Sequence, residues 1–406
     1  MKKLFCICAL CIWGLIAHAG SDDARVGAKR LDYAAYVSSS YFFDSFLAYD
    51  YLIEQPWSCG AGLQVGINTL STDNDWWAEA LGRPRLGIGL NWDHASPCGG
   101  KRGSQIGDFL DLTASFNFNL LRLNPFVLSA YIEAGPAFTN KKYYFVSNPT
   151  NYYIGSHVLA AVGVGLEARF RVANGWELAA VGALRHHSNG MTAVPNWGVN
   201  QVFIGLKTRW NPNIDDLFEK KKELVQPDYP KGWHWNIYTA GGVHACDVER
   251  MAIEKQVQEG TLAPSDELRA PVRARVIVGT EAEWRYHPLL STGIGIEGMW
   301  GANRYRESDM VLWERECDEG YSPFLISANL IQHLHYKNLS LHLCWGVYVF
   351  KKVGLSSDIG WNFQRVGLRY QLPKFKSCGN MYVGFDMRAH NLDRSYSLEA
   401  SVGFSL

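Results

Sequence analysis

From Phe109 the chain reads FLDLTASFNFNLL, with Leu110, Leu112, Ala114, Phe116 and Phe118 on one side of an extended backbone and Asp111, Thr113, Ser115, Asn117 and Asn119 on the other. Side chains alternate faces along a strand, so this period of two predicts a β-strand with one apolar and one polar face. The pattern returns over Leu128, Ala130, Ile132 and Ala134, and over Val158, Val162, Val164, Leu166 and Phe170 against Glu167, Arg169 and Arg171. It also ends the chain, over Tyr396, Leu398, Ala400, Val402, Phe404 and Leu406. No helical period of comparable strength occurs.

Eight such segments fall before residue 211, near 30–40, 57–68, 83–93, 107–121, 125–138, 157–171, 175–188 and 199–210. Eight more follow, near 233–246, 272–287, 290–301, 322–336, 339–350, 359–372, 380–390 and 393–406. The charged, proline-flanked stretch 212–231 separates the two sets and reads as a linker between domains at 25–211 and 232–406.

A soluble sandwich could alternate as well. Long strands with bulky apolar groups on one face and charged groups on the other fit better a wall between lipid and a polar lumen. The expected class is therefore all-β, with two transmembrane antiparallel eight-stranded β-barrels in tandem; one sixteen-stranded barrel is the alternative. Aromatic residues reach 13 %, including 15 Trp and 20 Tyr, which suits girdles at the membrane surfaces. With odd strands running outward, the joins near Asn124, at 172–175 and near Lys337 should be tight periplasmic turns, and 139–156, 247–271 and 302–321 long outer loops. The join 69–82, with Trp76 and Trp77, is too long for a turn and is read only as an interfacial segment.

The first residues, MKKLFCICALCIWGLIAHAG, read as a secretory signal peptide over 1–19, cut near Ala19. Loss of Lys2 and Lys3 changes 39 basic residues to 37 against 39 acidic ones, so the remaining chain is near neutral and nothing points to nucleic acid. Of nine cysteines, Cys6, Cys8 and Cys11 would leave with the signal. The outer-loop map allows two disulfides, Cys59 with Cys98 and Cys246 with Cys317, while Cys344 sits alone on the polar face of a strand.

Candidate chemistry gathers in LRHHSNGMTAVPNWGVN, residues 184–200. The apolar row Leu178, Ala180, Gly182, Leu184 continues by twos to His186 and Ser188, and the neighbouring row Val202, Ile204, Leu206 runs back to Asn200. Three polar groups thus converge on the lipid-facing surface at the outer rim, while Glu177, Arg185 and His187 face inward to lumen salt bridges with Glu167 and Arg169. A histidine next to a serine supplies a base beside a hydroxyl nucleophile, Asn200 can fix the imidazole tautomer, and Asn189 and Gly190 can offer donors to an oxyanion. The bland reading is a hydrated loop edge. A metal there is disfavoured because His186 and His187 point to opposite faces.

The run His186-His187-Ser188-Asn189, with Pro195-Asn196 and Gly198-Val199-Asn200, resembles the outer-membrane lipid A 3-O-deacylases of the PagL type, over about residues 25–210. The resemblance implies an eight-stranded barrel in the cell outer membrane that hydrolyses an ester-linked acyl chain of lipid A or lipopolysaccharide without a metal or other cofactor. It assigns Ser188 as nucleophile, His186 as base and Asn189 to the oxyanion site. The family pattern has a glutamate where this chain has Asn200. The second half resembles a degenerate copy in which Ala389 takes the place of His186, and it is expected to be inactive. The competing classes are a structural or lipopolysaccharide-binding barrel and an acyl transferase that holds the chain in the lumen; the charged lumen rows leave little room for the last.

Overall fold

The computed structural model describes residues 31–43, 56–68, 76–96, 98, 105–219, 223–245, 247–301, 322–352, 360–373, 380–390 and 394–406. The expected signal peptide and the Cys246–Cys317 pairing lie outside them.

Eight strands close the first barrel: β1 Leu31–Phe43, β2 Trp57–Asn68, β3 Arg85–His94, β4 Phe109–Leu123, β5 Phe126–Thr139, β6 Val158–Ala173, β7 Trp176–Ser188 and β8 Val199–Trp210. Eight more close the second: β9 Gly232–Ala245, β10 Val272–His287, β11 Leu290–Trp300, β12 Phe324–Tyr336, β13 Leu339–Lys351, β14 Asn362–Gln371, β15 Asn380–His390 and β16 Arg394–Ser405. All neighbours pair antiparallel, and β1 closes on β8 as β9 closes on β16. The sixteen-stranded alternative is therefore set aside. Closure leaves no unpaired edge, the condition for a sheet in lipid. Among the described residues no helix is long and apolar enough to cross a membrane.

Parity divides the walls as the sequence requires. Leu63, Ile88, Leu178, Ile204 and Leu206 of the first barrel and Ile237, Val278, Ile294, Ile296 and Leu330 of the second are exposed outward. Tryptophans lie at both ends of these faces: Trp176 and Trp210 at the short-turn end and Trp57 and Trp92 at the long-loop end.

The interiors combine charge lattices with buried apolar clusters, which include Phe42, Phe109 and Ile154 in the first barrel and Ile277, Ile331 and Phe363 in the second. In the first barrel Arg185 reaches Asp93, Asp111 and Glu133 at 3.2, 3.2 and 2.8 Å, and His187 lies 3.0 Å from Asp111. Nearer the other end Glu167 accepts from Lys207 at 2.6 Å and pairs with the Arg209 guanidinium, also at 2.6 Å, while Arg169 lies 3.4 Å from Glu177. In the second, Arg388 holds Glu297 at 2.6 Å and Glu399 at 2.7 Å, and Arg369 holds Glu281. Unpaired, each of these buried ions would be costly. The inward rows carry ion pairs as expected, but Arg185 takes its partners from β3, β4 and β5 rather than from Glu167.

One sequence expectation fails. Cys59 and Cys98 are free thiols, because Cys59 stands on the outward row of β2 whereas Cys98 is buried and donates to the Trp57 carbonyl at 3.4 Å. Burial pushes the Cys98 thiol up to about 12. Cys344 faces the lumen of the second barrel, buried, as its parity predicts.

The long join after β2 also finds its reason. It carries a short helix, α1 Trp76–Ala80, whose Trp76 ring lies 6.0 Å from His287 and whose Trp77 ring lies 6.4 Å from Tyr336. Its described part thus rests against the second barrel.

Candidate active site

Strand β7 alternates without a slip from Trp176 to His186, odd side chains buried and even ones outward. Its register with β8 places His186 opposite Asn200, and the His186 Nδ1 lies 2.8 Å from the Asn200 Oδ1. An amide oxygen can only accept, so Nδ1 carries the proton and Nε2 is left as the basic nitrogen. The two groups brought together by counting parity are thus in direct contact.

Ser188 continues the outward row but is only 2 % exposed. The sequence reading has this row open to lipid; here the segment 189–198 folds over its end. The Thr192 amide and hydroxyl both donate to the Asn189 carbonyl, at 3.2 and 2.9 Å, which makes a tight turn directly after Ser188. Gly190 and Met191 at its centre have φ of 62°. The neighbouring outer loop is laced to the segment through Trp197 and Gly198, whose amides donate to the carbonyls of Tyr152 and Tyr153 at 3.1 and 3.0 Å.

Inside this turn the donors are divided. The Gly190 amide donates to the Ser188 Oγ at 3.3 Å. The Asn189 amide instead donates to Asn196 Oδ1 at 3.0 Å, and its carboxamide to the Ala193 carbonyl at 2.9 Å. Asn189 therefore shapes the loop, whereas Gly190 presents its N–H to the hydroxyl.

Two residues of the motif, Gly198 and Asn196, have no role assigned from the sequence. Gly198, at φ 76°, lies so close that a Cβ there would meet the His186 Cε1 at 2.4 Å, so only glycine lets the backbone back the imidazole. Asn196 holds the turn from across the loop. Neither shows in a period of two, although the Pro-Asn-x-Gly run does mark an unusual backbone.

The second barrel reaches the same turn. The Ala245 amide donates to the Met191 carbonyl at 2.5 Å, and a Cβ on Gly190 would lie 2.5 Å from the Leu398 Cγ. A helix after β9, α2 Asp247–Gln258, sets Arg250 over the rings of Tyr143 and Tyr152 at 5.7 and 5.4 Å, and Glu254 accepts from the Tyr143 hydroxyl at 2.7 Å. At the position corresponding to His186, the second barrel has Ala389 on the outward row, with Gln364 and Ser395 as its register partners. An imidazole is missing from that place.

Comparison with known proteins adds to this geometry. Residues 60–209 match the family model described as lipid A 3-O-deacylase (PagL), and residues 233–406 match that of the acyloxyacyl hydrolase C-terminal domain. Among curated proteins none matches the sequence. Among solved structures, the chain is similar to the outer membrane enzyme PagL at 17 % identity, over 42 % of this chain and 97 % of that one, with a TM-score of 0.29. It is similar to Neisserial surface protein A at 11 % identity, over 45 % and 96 % of the chains (TM-score 0.26). It is also similar to the N-terminal β-barrel domain of Pseudomonas aeruginosa OprF at 13 % identity, over 44 % and 97 % (TM-score 0.25).

Proposed function

Because this chain belongs to the lipid A 3-O-deacylase family of outer-membrane β-barrels, its two halves matching the family's two models in turn, we propose that Ser188, His186 and Asn200 form the esterase site of a lipid A deacylase. The observation that carries the reading is the 2.8 Å contact between His186 Nδ1 and Asn200 Oδ1 on the wall that also bears Ser188.

The chemistry follows from the side chains. The Ser188 Oγ attacks the ester carbonyl carbon while its proton passes to the His186 Nε2. The carbonyl oxygen takes the negative charge and is met by the Gly190 amide, which now donates to Oγ. Collapse breaks the bond to the sugar oxygen, which leaves with the proton from His186, and the acyl chain stays on Ser188. Water, deprotonated by the same imidazole, then releases the fatty acid and restores the hydroxyl. Asn200 stays neutral throughout and keeps the ring oriented. Asn189, proposed from the sequence as an oxyanion donor, contributes by building the turn that aims the Gly190 amide.

The test is a mass spectrum of lipid A from cells or vesicles carrying the protein. Wild type is expected to produce a species lighter by one acyl chain, and Ser188→Ala, inserted and folded, to leave lipid A intact. Release of fatty acid by Ser188→Ala at the wild-type rate would refute the assignment. The burial of Ser188 favours a second reading, a barrel that binds lipopolysaccharide without turnover; it predicts unmodified lipid A with both proteins.

A further inference from the structure

The lumen of the second barrel holds side chains for which ester hydrolysis at Ser188 has no use. His333 and His335 stand two residues apart on β12, so both imidazoles share the inward face. From β10, Glu283 brings its Oε2 to 2.8 Å from His333 Nδ1. That oxygen also accepts from Ser291 Oγ at 2.7 Å, and the same hydroxyl lies 2.9 Å from His335 Nε2. One donor atom from each of Glu283, His333 and His335 lies within 4.8 Å of the other two. Ligands about 2.1 Å from a tetrahedral ion stand roughly 3.4 Å apart, so small ring rotations would close the set.

Independent observations point to an ion. His333, 2 % exposed, has a ring nitrogen, Nε2, that finds no hydrogen-bond partner among the described residues. Such a buried group normally has one. His335 is braced from behind as metal-bound histidines are, its Nδ1 lying 2.8 Å from Ser340 Oγ. The residues line a cavity of about 420 Å³ at the short-turn end of the barrel, which provides a route of entry. Its nearby guanidinium groups are turned to other partners: Arg285 donates to the Pro288 carbonyl at 2.8 Å and Arg369 to Glu281 at 2.5 and 2.7 Å.

We propose that Glu283, His333 and His335 bind a divalent transition-metal ion of the zinc class in the mouth of the second barrel. Two imidazoles and one carboxylate suit zinc and its neighbours rather than calcium or magnesium, which prefer oxygen. The remaining coordination positions face Ser291 and the cavity. The sequence reading contains no metal site: the widely spaced cysteines carry no metal signature, and His186 and His187 point to opposite faces.

The experiment uses the whole protein in detergent, stripped by chelator and then dialysed against zinc at neutral pH. Wild type should retain about one zinc per chain, and His335→Ala and Glu283→Gln should each weaken binding about tenfold or more. Ser188→Ala should bind zinc as wild type does, so failure of the esterase reading leaves this result untouched. Heat-dependent gel migration establishes that each variant is folded. Cobalt in place of zinc should give wild type a visible absorption that His335→Ala lacks, which decides the matter if Glu283→Gln does not fold. Zinc held equally by wild type and the folded variants, or none held by folded wild type, would overturn the proposal.

Discussion

At Asn200 an amide stands where the family pattern has a carboxylate. It fixes the tautomer of His186 but stabilises the imidazolium less than a charge would. A neutral hydrogen bond is worth about 0.5–1.5 kcal/mol, so Asn200→Ala is expected to lower kcat by up to about tenfold, and Asn200→Asp to keep or raise it. Steady-state hydrolysis of purified lipid A in detergent checks both. A sharper case is Gly190, whose φ of 62° and closeness to Leu398 leave a side chain neither a comfortable backbone nor space. Gly190→Ala should abolish most activity, and adding Leu398→Ala should restore only the part lost to the clash, since left-handed backbone still costs about 1–2 kcal/mol. The same assay on the single and double variants separates the two effects. Of these residues, the His186–Asn200 contact was legible from parity alone, because both lie on regular strands. The cover over Ser188 was not: it is made by a loop whose hydrogen bonds run to Tyr152 and Tyr153, far away in the chain and without a periodic signature.

Strands were the legible elements. All sixteen expected segments form, and most divide outward apolar from inward polar residues, but bulges break the count in places: Tyr396, expected on the outward row of the last strand, is buried against His390 after a register shift. Which charges meet inside is set by register, and a count of faces does not give it. Arg185 illustrates this: placed inward by parity, it ties β7 to β3, β4 and β5 through three carboxylates. Arg185→Ala would leave Asp93, Asp111 and Glu133 buried together without their cation, with an expected loss of about 3–5 kcal/mol. Urea unfolding in lipid vesicles, followed by tryptophan fluorescence, should show it, while the lipid-facing Leu178→Ala shifts the midpoint far less. Cysteine pairing was not legible for a related reason. Positions at one end of a barrel can face opposite ways: Cys59 lies on the outward row of β2, whereas Cys98 in the loop after β3 is buried.

Across the whole molecule the barrels touch at both ends, through α1 with β10 and β12 on one side and through α2 and the loop after it on the other. In that outer loop Asp266 accepts from the Val146 and Ser147 amides at 2.8 and 3.0 Å. Hydrogen bonds from Ser147, its hydroxyl first, and from the Val146 amide hold the Asp266 carboxyl below its ordinary value. A depressed carboxylate contributes its contact above the unfolded pKa and loses it as pH falls through the folded one. The outer junction should therefore be closed at neutral pH and loosen in acid, below the usual carboxylate range. Limited proteolysis of the segment 259–271 would detect this: cleavage should rise in acid for wild type, and Asp266→Asn should be cut readily at neutral pH too. Cleavage that ignores both pH and the substitution would remove Asp266 from the junction.

The charge lattice inside the first barrel also bears on where the product of the proposed reaction would go. With Arg185 and Arg209 locked among carboxylates, the described residues leave no greasy conduit through the first barrel, and Ser188, the proposed nucleophile, continues the outward row of β7. On the proposed assignment a severed fatty acid would slip laterally into the surrounding leaflet, and that leaflet, rather than the aqueous phase on either side, would be the sink that draws the reaction forward.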